Sequence, residues 1–523
     1  MINVIGAGLS GLSAAITIAK SGKKCNLFSV QPSERAQSVL AEGGINAALD
    51  NMGEGDTVEE HFLDTMKGGV FLEDEQTIKD FTAAAPDIVM KLKALGVPFH
   101  LNGDKIAQRN FGGQKKKRTA FSKSSTGKVI MTALIDEARK YEDKGLIARF
   151  PHHEVIDLSI SGGAFCGVTV RDIYTGKTAE FFGATILCVG GMNGIFPEVT
   201  TGTTQNNGNV QSIAFSKGVE FSDLEFIQYH PTTIAVADKR MLVSEAARGE
   251  GGRLFTVKNG KPWYFMEEKY PVFKNLMPRD VVSRECYLAM HDGQTDGKVY
   301  LDLTGLPEEV KRDKLSDLFE EITAYKSIDP SVTPVPVEPG IHYFMGGISV
   351  DKGHRTNVKG LYAAGECASI YHGANRLGGN SMLGAIYGGT VAAKTAVDEN
   401  YECAATDNGS HELPFGYAER ADGSPSFNKK LRDILFDGLG IIRDEKGLIS
   451  SLEKVEKLIS ETKNETEMAR ATLGKAMILS AIERKESRGA HYRADFPEQS
   501  EEYKAKSTAV FSGGEIVIKF KKA

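Results

Sequence analysis

The chain opens with a short apolar run, residues 2–5, then Gly6-Ala7-Gly8-Leu9-Ser10-Gly11, then small apolar residues through Ala19. This order of strand, glycine turn and helix start restricts the fold more than any other feature. Glycines at these three positions allow a tight turn, close approach of backbone to a pyrophosphate, and close packing of helix on strand. The helix N-terminus behind the turn offers free N–H donors and the positive end of a dipole to an anion. The segment predicts the first βαβ unit of a dinucleotide-binding α/β domain. The predicted second strand, residues 24–29, ends in Ser29, where the plain fingerprint has an acidic residue for the ribose hydroxyls.

Three later segments read as returns to the same site. Residues 36–44 end in Gly43-Gly44, residues 185–191 form a buried strand ending in Gly190-Gly191, and residues 360–366 form another ending at Glu366. One nucleotide site built from such distant pieces implies a domain interrupted by an insertion, and 523 residues suffice for about two to four domains. Toward the C-terminus, residues 401–428 are rich in Asp, Gly, Ser and Pro and read as a linker. Residues 431–442, 451–459 and 468–482 have helical apolar spacing, and residues 510–518 predict a hairpin around Gly513-Gly514.

Charge and cysteine usage narrow the class of function. Lys and Arg number 63 against 69 Asp and Glu, a net −6, which is too mild to argue for nucleic acid or a membrane surface. The six cysteines contain no C-x-x-C pair, which fits a reducing, cytoplasmic compartment and argues against an iron–sulfur or zinc site in this chain. No apolar run reaches about 18 residues, so no membrane span is expected. A first strand starting at residue 2 leaves no room for a cleaved signal peptide. The run Lys115-Lys116-Lys117-Arg118 reads as a solvated loop.

The segment His372-Gly373-Ala374-Asn375-Arg376-Leu377-Gly378-Gly379-Asn380-Ser381 sets one arginine among glycines and small polar residues. A guanidinium there can meet a carboxylate bidentately with little steric competition, and its charge does not titrate away near neutral pH. Further motifs lie upstream: Asn110-Phe111-Gly112-Gly113-Gln114, residues 225–232 around His230, residues 244–252 around Glu245 and Arg248, Pro278-Arg279-Asp280, and residues 342–347 from His342. In this order, and with residues 486–493 in the tail, they resemble the flavoprotein subunits of fumarate reductases and succinate dehydrogenases, and more distantly the L-aspartate oxidases. The resemblance spans essentially the whole chain.

It implies an α/β, Rossmann-like FAD-binding domain of residues 1–230 and 345–400, interrupted by an α+β capping domain of residues 231–344. After the linker comes a C-terminal helical domain with a terminal hairpin, residues 429–523. It also implies FAD contacts at Gly6, Gly8, Gly11, Ser29, Ser38, Gly43, Gly44, Val155, Gly190, Glu366, Ser381 and Leu383. A dicarboxylate substrate, fumarate or succinate, would be held by Arg376 and His342 at one end and by His230 and Ser244 at the other, with Phe111 nearby. Reducing its double bond needs a hydride at one carbon and a proton at the other. In the family the proton comes from an arginine at the position of Arg279, resupplied through residues matching Glu245 and Arg248. Electrons would arrive from an iron–sulfur partner subunit or a soluble donor.

Several positions depart from the family pattern. Members with covalently bound flavin carry a histidine where this chain has Gln37, so FAD is expected to be held non-covalently, a state that favours fumarate reduction. The family's Gly-Asp-Gly stretch is replaced by Gly208-Asn209-Val210, and its usual threonine by Ser244. Aspartate oxidases have an acidic residue in place of Phe111, where it can meet a substrate ammonium. That favours fumarate reductase over L-aspartate oxidase or a reductase of another unsaturated carboxylate.

Overall fold

The structure is a computed structural model that describes residues 1–123, 125–402, 411–412 and 423–522. The opening residues form strand Ile2–Ile5, helix Leu9–Lys20 and strand Cys25–Ser29. Five strands make a parallel sheet in the order Leu361–Ala363, Thr185–Leu187, Ile2–Ile5, Cys25–Ser29, Ile147–Pro151. The three middle strands read as near-continuous apolar runs because they lie within the main core. Glycine sets the spacing at the turn. A Cβ on Gly11 would lie 1.7 Å from the Gly6 carbonyl oxygen, and one on Gly6 (φ +106°) 2.1 Å from that of Cys188. Helix Asn380–Glu399 crosses the same end, where a Cβ on Gly389 would lie 2.2 Å from the Ser10 carbonyl oxygen.

A six-stranded sheet follows, in the order Arg240–Leu242, Ile227–Ala235, Val335–Phe344, Val299–Asp302, Arg253–Lys258, Lys261–Trp263. With helices Arg279–His291 and Ser316–Lys326 it has its own apolar core, built from residues between Ile234 and Val337 together with Phe111. The chain enters this unit on strand Ile227–Ala235 and leaves on Val335–Phe344, and the two are antiparallel neighbours with Gln228 opposite Tyr343 and His230 opposite Gly340. That pairing brings two motifs more than a hundred residues apart to one place.

The tail differs from expectation in three ways. The first tail helix, Pro425–Gly438, begins inside the stretch read as linker, because Ser424 caps it by accepting from Phe427 N–H and Pro425 supplies a favourable first turn. Most of that stretch, 403–410 and 413–422, lies outside the described residues, as does Cys403. The other two helices, Glu445–Glu461 and Glu465–Glu483, begin several residues before their apolar stripes, after Asp444 and Asn464 caps. The hairpin Lys506–Ser512 and Glu515–Lys521 is no appendage. Its first strand pairs with Phe221–Ser222, which pairs with Gly347–Ser349, so the tail completes a sheet rooted in the flavin-side unit.

Buried ion pairs fix the tail further. Arg484 donates to Glu225 at 2.5 Å and Glu486 at 2.9 Å, and Arg488 donates to both oxygens of Glu486. Arg118, expected in a solvated loop, is fully buried between Asp56 at 2.8 Å and Asp64 at 2.9 Å, while Lys117 meets Glu54. Arg118 ties helix Val58–Gly68, through Asp64, to the strand Thr119–Ala120 that follows it. Among the described residues, no helix is long and apolar enough to cross a membrane.

Replacing Gly11 by Ala forces the helix off the turn. Overpacking at this backbone contact is expected to cost about 3 kcal/mol, the upper end of the usual range, measured as a lower denaturation midpoint with loss of flavin from the purified protein.

Candidate active site

A cavity of about 1030 Å³ runs between the parallel sheet and the six-stranded unit. At one end lie Gly6, Gly8, Ser29, Ser38, Gly43, Gly44, Val155, Gly190, Glu366 and Ser381. Gly11 and Leu383 do not line it. Gly11 lets the helix seat against the turn, and the Leu383 side chain is wholly within the main core. Two helices open on this end. Leu9–Lys20 has Gly8 as its N-cap and Asn380–Glu399 has Gly379 (φ +83°), neither with a side-chain cap. Asn380 N–H is taken by the Leu377 carbonyl, and the following first-turn N–H groups and the helix dipoles suit a diphosphate and an electron-rich ring. The Ser38 hydroxyl accepts from Leu9 N–H at 3.2 Å, tying the second glycine segment to the first. A bare glycine wall, two open helix ends and this volume fit FAD.

The other end is cationic. Arg279, first residue of its helix, donates to Glu245 Oε2 from Nε at 2.9 Å and from Nη2 at 2.6 Å. Glu245 Oε1 accepts from Gly112 N–H at 2.8 Å and faces Arg248 Nη2 at 3.7 Å. Arg248 does not line the cavity. It lies behind Glu245, donates to the Asn275 carbonyl at 2.6 Å, and keeps Nε and Nη2 without hydrogen-bond partners. The three side chains form a row, Arg248, Glu245, Arg279, leading to the cavity. Burial alone pushes the Glu245 carboxyl up, but Arg279 and Arg248 together bring it below the usual range, so it is ionised at neutral pH.

Arg376 enters from the opposite wall, its guanidinium 4.3 Å from the Tyr343 ring centre. Burial, with Arg279 nearby, lowers it to about 9, still cationic near neutrality, and its Nε has no hydrogen-bond partner. His230 and His342 stand with ring centres 5.2 Å apart. Burial first, and the neighbouring guanidiniums next, hold both far below the ordinary imidazole range, so both are neutral. The Thr201 hydroxyl lies 2.7 Å from His342 Nδ1, a contact that anchors the ring and leaves Nε2 for a ligand. His230 Nε2 is buried with no partner. Ser244 lines the wall as N-cap of the short Glu245–Gly249 helix, and Phe111 closes the end beside it.

Reading the sequence missed other members. Gln228, two residues before His230 on one strand, accepts on Oε1 from Arg279 at 3.1 Å and Arg376 at 3.0 Å. That spacing of two was the available signal. Glu42 is buried beside Ser244 with Oε2 unpartnered, and burial, with Glu321 nearby, raises its carboxyl well above the usual range, so it is uncharged. Around Gln228, the guanidiniums of Arg248, Arg279 and Arg376 face one ionised carboxylate, Glu245, an excess of positive charge that suits a dianion.

Comparison with known proteins follows the same lines. Residues 2–382 match a family described as FAD binding domain, and residues 467–522 one described as fumarate reductase flavoprotein C-term. The succinate dehydrogenase flavoprotein subunit of Bacillus subtilis is 37% identical, covering 97% of this chain and 93% of its own length. The L-aspartate oxidase of Pyrococcus abyssi is 33% identical over 97% of this chain and 98% of its own. A mutant of Escherichia coli quinol fumarate reductase superposes with a TM-score of 0.88 at 27% identity, covering 100% of this chain and 96% of that one.

Glu366 offers a check on the cavity wall. Burial raises its carboxyl from about 4.5 to about 7, although Phe344 N–H donates to it at 3.1 Å and Arg376 is near. The folded state thus binds this proton more tightly than the unfolded chain, and folding is penalised progressively as pH climbs from about 4.5 to about 7. Glu366→Gln should leave the melting temperature of the flavin-free protein unchanged at pH 4 and raise it at pH 8.

Proposed function

Because the chain belongs to the fumarate reductase and succinate dehydrogenase flavoprotein family, FAD-dependent oxidoreductases acting on CH–CH bonds, we propose that it reduces fumarate to succinate. The observation that carries this reading is the excess of positive charge where Arg279 from the cap and Arg376 from the flavin-side unit meet at Gln228 Oε1, both lining the cavity. The glycine wall and the helix ends at Leu9 and Asn380 hold FAD, which when bound supplies the reducing equivalent as a hydride. We read residues 1–230 and 345–400 as the flavin domain, 231–344 as its cap, and the tail as the clamp over both.

Arg376 binds one carboxylate, with its Nε–H free of any other partner, and His342, anchored at Nδ1 by Thr201, meets it through Nε2. His230 and the Ser244 hydroxyl hold the other carboxylate, where charge builds as the double bond is reduced. Arg279 then gives a proton to the second carbon. An arginine is a poor acid in water, but here it faces a strongly basic carbanion-like centre in a buried, cation-rich site. Glu245, ionised at rest and in contact with Arg279 at 2.6 Å, takes a proton from Arg248 and passes it to the deprotonated Arg279, and Arg248 regains its proton from solvent. Among the described residues no group of three or more His, Cys, Asp or Glu is placed to hold a metal ion, and our reading has electrons enter from an iron–sulfur partner or a soluble donor.

Phe111 argues against aspartate as substrate. Its ring is buried and lies 5.7 Å from the Arg109 guanidinium, so position 111 itself offers no carboxylate to a substrate ammonium. The test is anaerobic turnover of fumarate with reduced viologen beside peroxide formation from aspartate in air. Fumarate should turn over, and Arg376→Lys should lose about 2–5 kcal/mol of transition-state stabilisation, roughly 30-fold or more in kcat/KM, because a point ammonium cannot replace the fork. Peroxide from aspartate without fumarate turnover would overturn the assignment.

Gln37 supports non-covalent FAD. Its Oε1 accepts from Thr203 N–H at 2.6 Å, and its amide nitrogen is no nucleophile for the flavin methyl carbon. Acid precipitation should release all flavin into the supernatant, and flavin remaining with the pellet would contradict this reading.

A further inference from the structure

The helix Arg279–His291 presents two consecutive residues to the flavin-side unit. Arg279 enters the cavity. Asp280 beside it accepts on Oδ1 from Asn375 Nδ2 at 2.7 Å. Asn375 stands in the same relation to its own neighbour, since Arg376 enters the cavity from the other wall. The rest of the Asn375 amide is also used, its Oδ1 accepting from Gln228 Nε2 at 2.8 Å. Gln228 Nε2 donates as well to the Arg376 carbonyl at 2.8 Å, and its Oε1 takes both guanidiniums. Hydrogen bonds therefore run from Asp280 through Asn375 and Gln228 to Arg279, and the backbone from Arg279 to Asp280 closes the ring.

We propose that Asp280 and Asn375 are a positioning pair, an interdomain latch that sets where the cap delivers Arg279 relative to the carboxylate held by Arg376. The inference rests on the reading of Arg279 as proton donor. Its physical basis is geometric. Each latch residue is bonded through one peptide unit to a cavity arginine, so a shift of one partner moves the donor relative to the clamp. Other contacts place the same helix on both neighbouring units. The Ser283 hydroxyl donates to the Tyr229 carbonyl at 3.0 Å, and Arg284, the cation facing Asp280, stacks on Tyr492 of the tail at 4.7 Å. Asp280 differs from these in acting within the first turn, next to the reacting group. An aspartate there also favours the helix dipole, and that effect needs no Asn375, so exchanging the two side chains separates the roles.

The experiment uses the full-length, flavin-loaded chain as Asp280→Ala, Asp280→Asn, Asn375→Asp and the double swap Asp280→Asn/Asn375→Asp. Steady-state kinetics with fumarate is paired with hydrogen–deuterium exchange of the Arg279 helix and with melting temperature. Asp280→Ala removes the acceptor, and Asn375→Asp sets two carboxylates face to face. Both should lower kcat by about 30- to 100-fold, as expected for misplacement of a reacting group near 1 Å, with KM for the alanine variant within about threefold. Amides of residues 281–285 should exchange about tenfold faster in both. Asp280→Asn keeps the acceptor, and the double swap restores the bond with its direction reversed, so both should return to within about threefold of the parent in rate and exchange. The latch is wrong if Asn375→Asp keeps the parent's kcat and exchange. It is equally wrong if the double swap, with normal melting and flavin content, is as impaired as Asn375→Asp. A parent chain that shows this exchange pattern but turns over no fumarate would defeat the substrate reading and leave the latch standing.

Discussion

Three guanidiniums buried around one carboxylate are the feature to which the rest of the architecture answers. Arg248, Arg279 and Arg376 are nearly inaccessible to water, and the desolvation of such groups costs several kcal/mol each unless partners compensate. Glu245 compensates part of this, Gln228 supplies a neutral oxygen shared by two of the cations, and the remainder is left for a ligand. A glutamate at Gln228 would quench that surplus. The amide keeps the arginines in place without neutralising them, which is how a site can be both stable when empty and attractive to a dianion.

Holding like charges together requires a stiff frame, and three separate parts of the chain build it. The cap brings Arg279 on the first turn of a helix. The flavin-side unit brings Arg376 on a loop between Tyr371, which has positive φ (76°), and the left-handed Gly379. The tail then braces that loop. Ala490 N–H donates to the Ala374 carbonyl at 2.9 Å, and Gly489 (φ +53°) passes so close that a Cβ would lie 2.5 Å from the same oxygen. Behind this contact, the Arg484, Glu225, Glu486 and Arg488 ion pairs are fully or almost fully buried. Loss of one member there would strand a buried charge at about 3–5 kcal/mol, so the tail is as much a part of the site as the cap.

Much of the plan was legible in the sequence, and the reasons differ by element. The opening βαβ unit declared itself because glycine at Gly6 and Gly11 is demanded by backbone contacts that any side chain would break. The tail helices showed in their apolar stripes, while their true starts lay upstream at Ser424, Asp444 and Asn464, where polar caps and not apolar spacing decide the boundary. Arg118 was misread because a run of four cations resembles a solvated loop. Its burial depends on Asp56 and Asp64, which lie more than fifty residues away along the chain.

What the sequence determined by itself is the inventory and its local geometry: a strand–turn–helix for a dinucleotide, a flexible glycine bed under Arg376, and histidine, glutamate and arginine set in motifs with little freedom to be elsewhere. Only the tertiary structure decided which of these meet and in what state of charge. Antiparallel pairing of Ile227–Ala235 with Val335–Phe344 set His230 beside His342, and packing of the Arg279 helix brought Glu245, Gln228 and two arginines within hydrogen-bonding reach. Charge states followed from that burial, since neutral imidazoles and an ionised Glu245 are properties of surrounding guanidiniums and excluded water. Distances and desolvation belong to the folded molecule, and a linear order of residues carries neither.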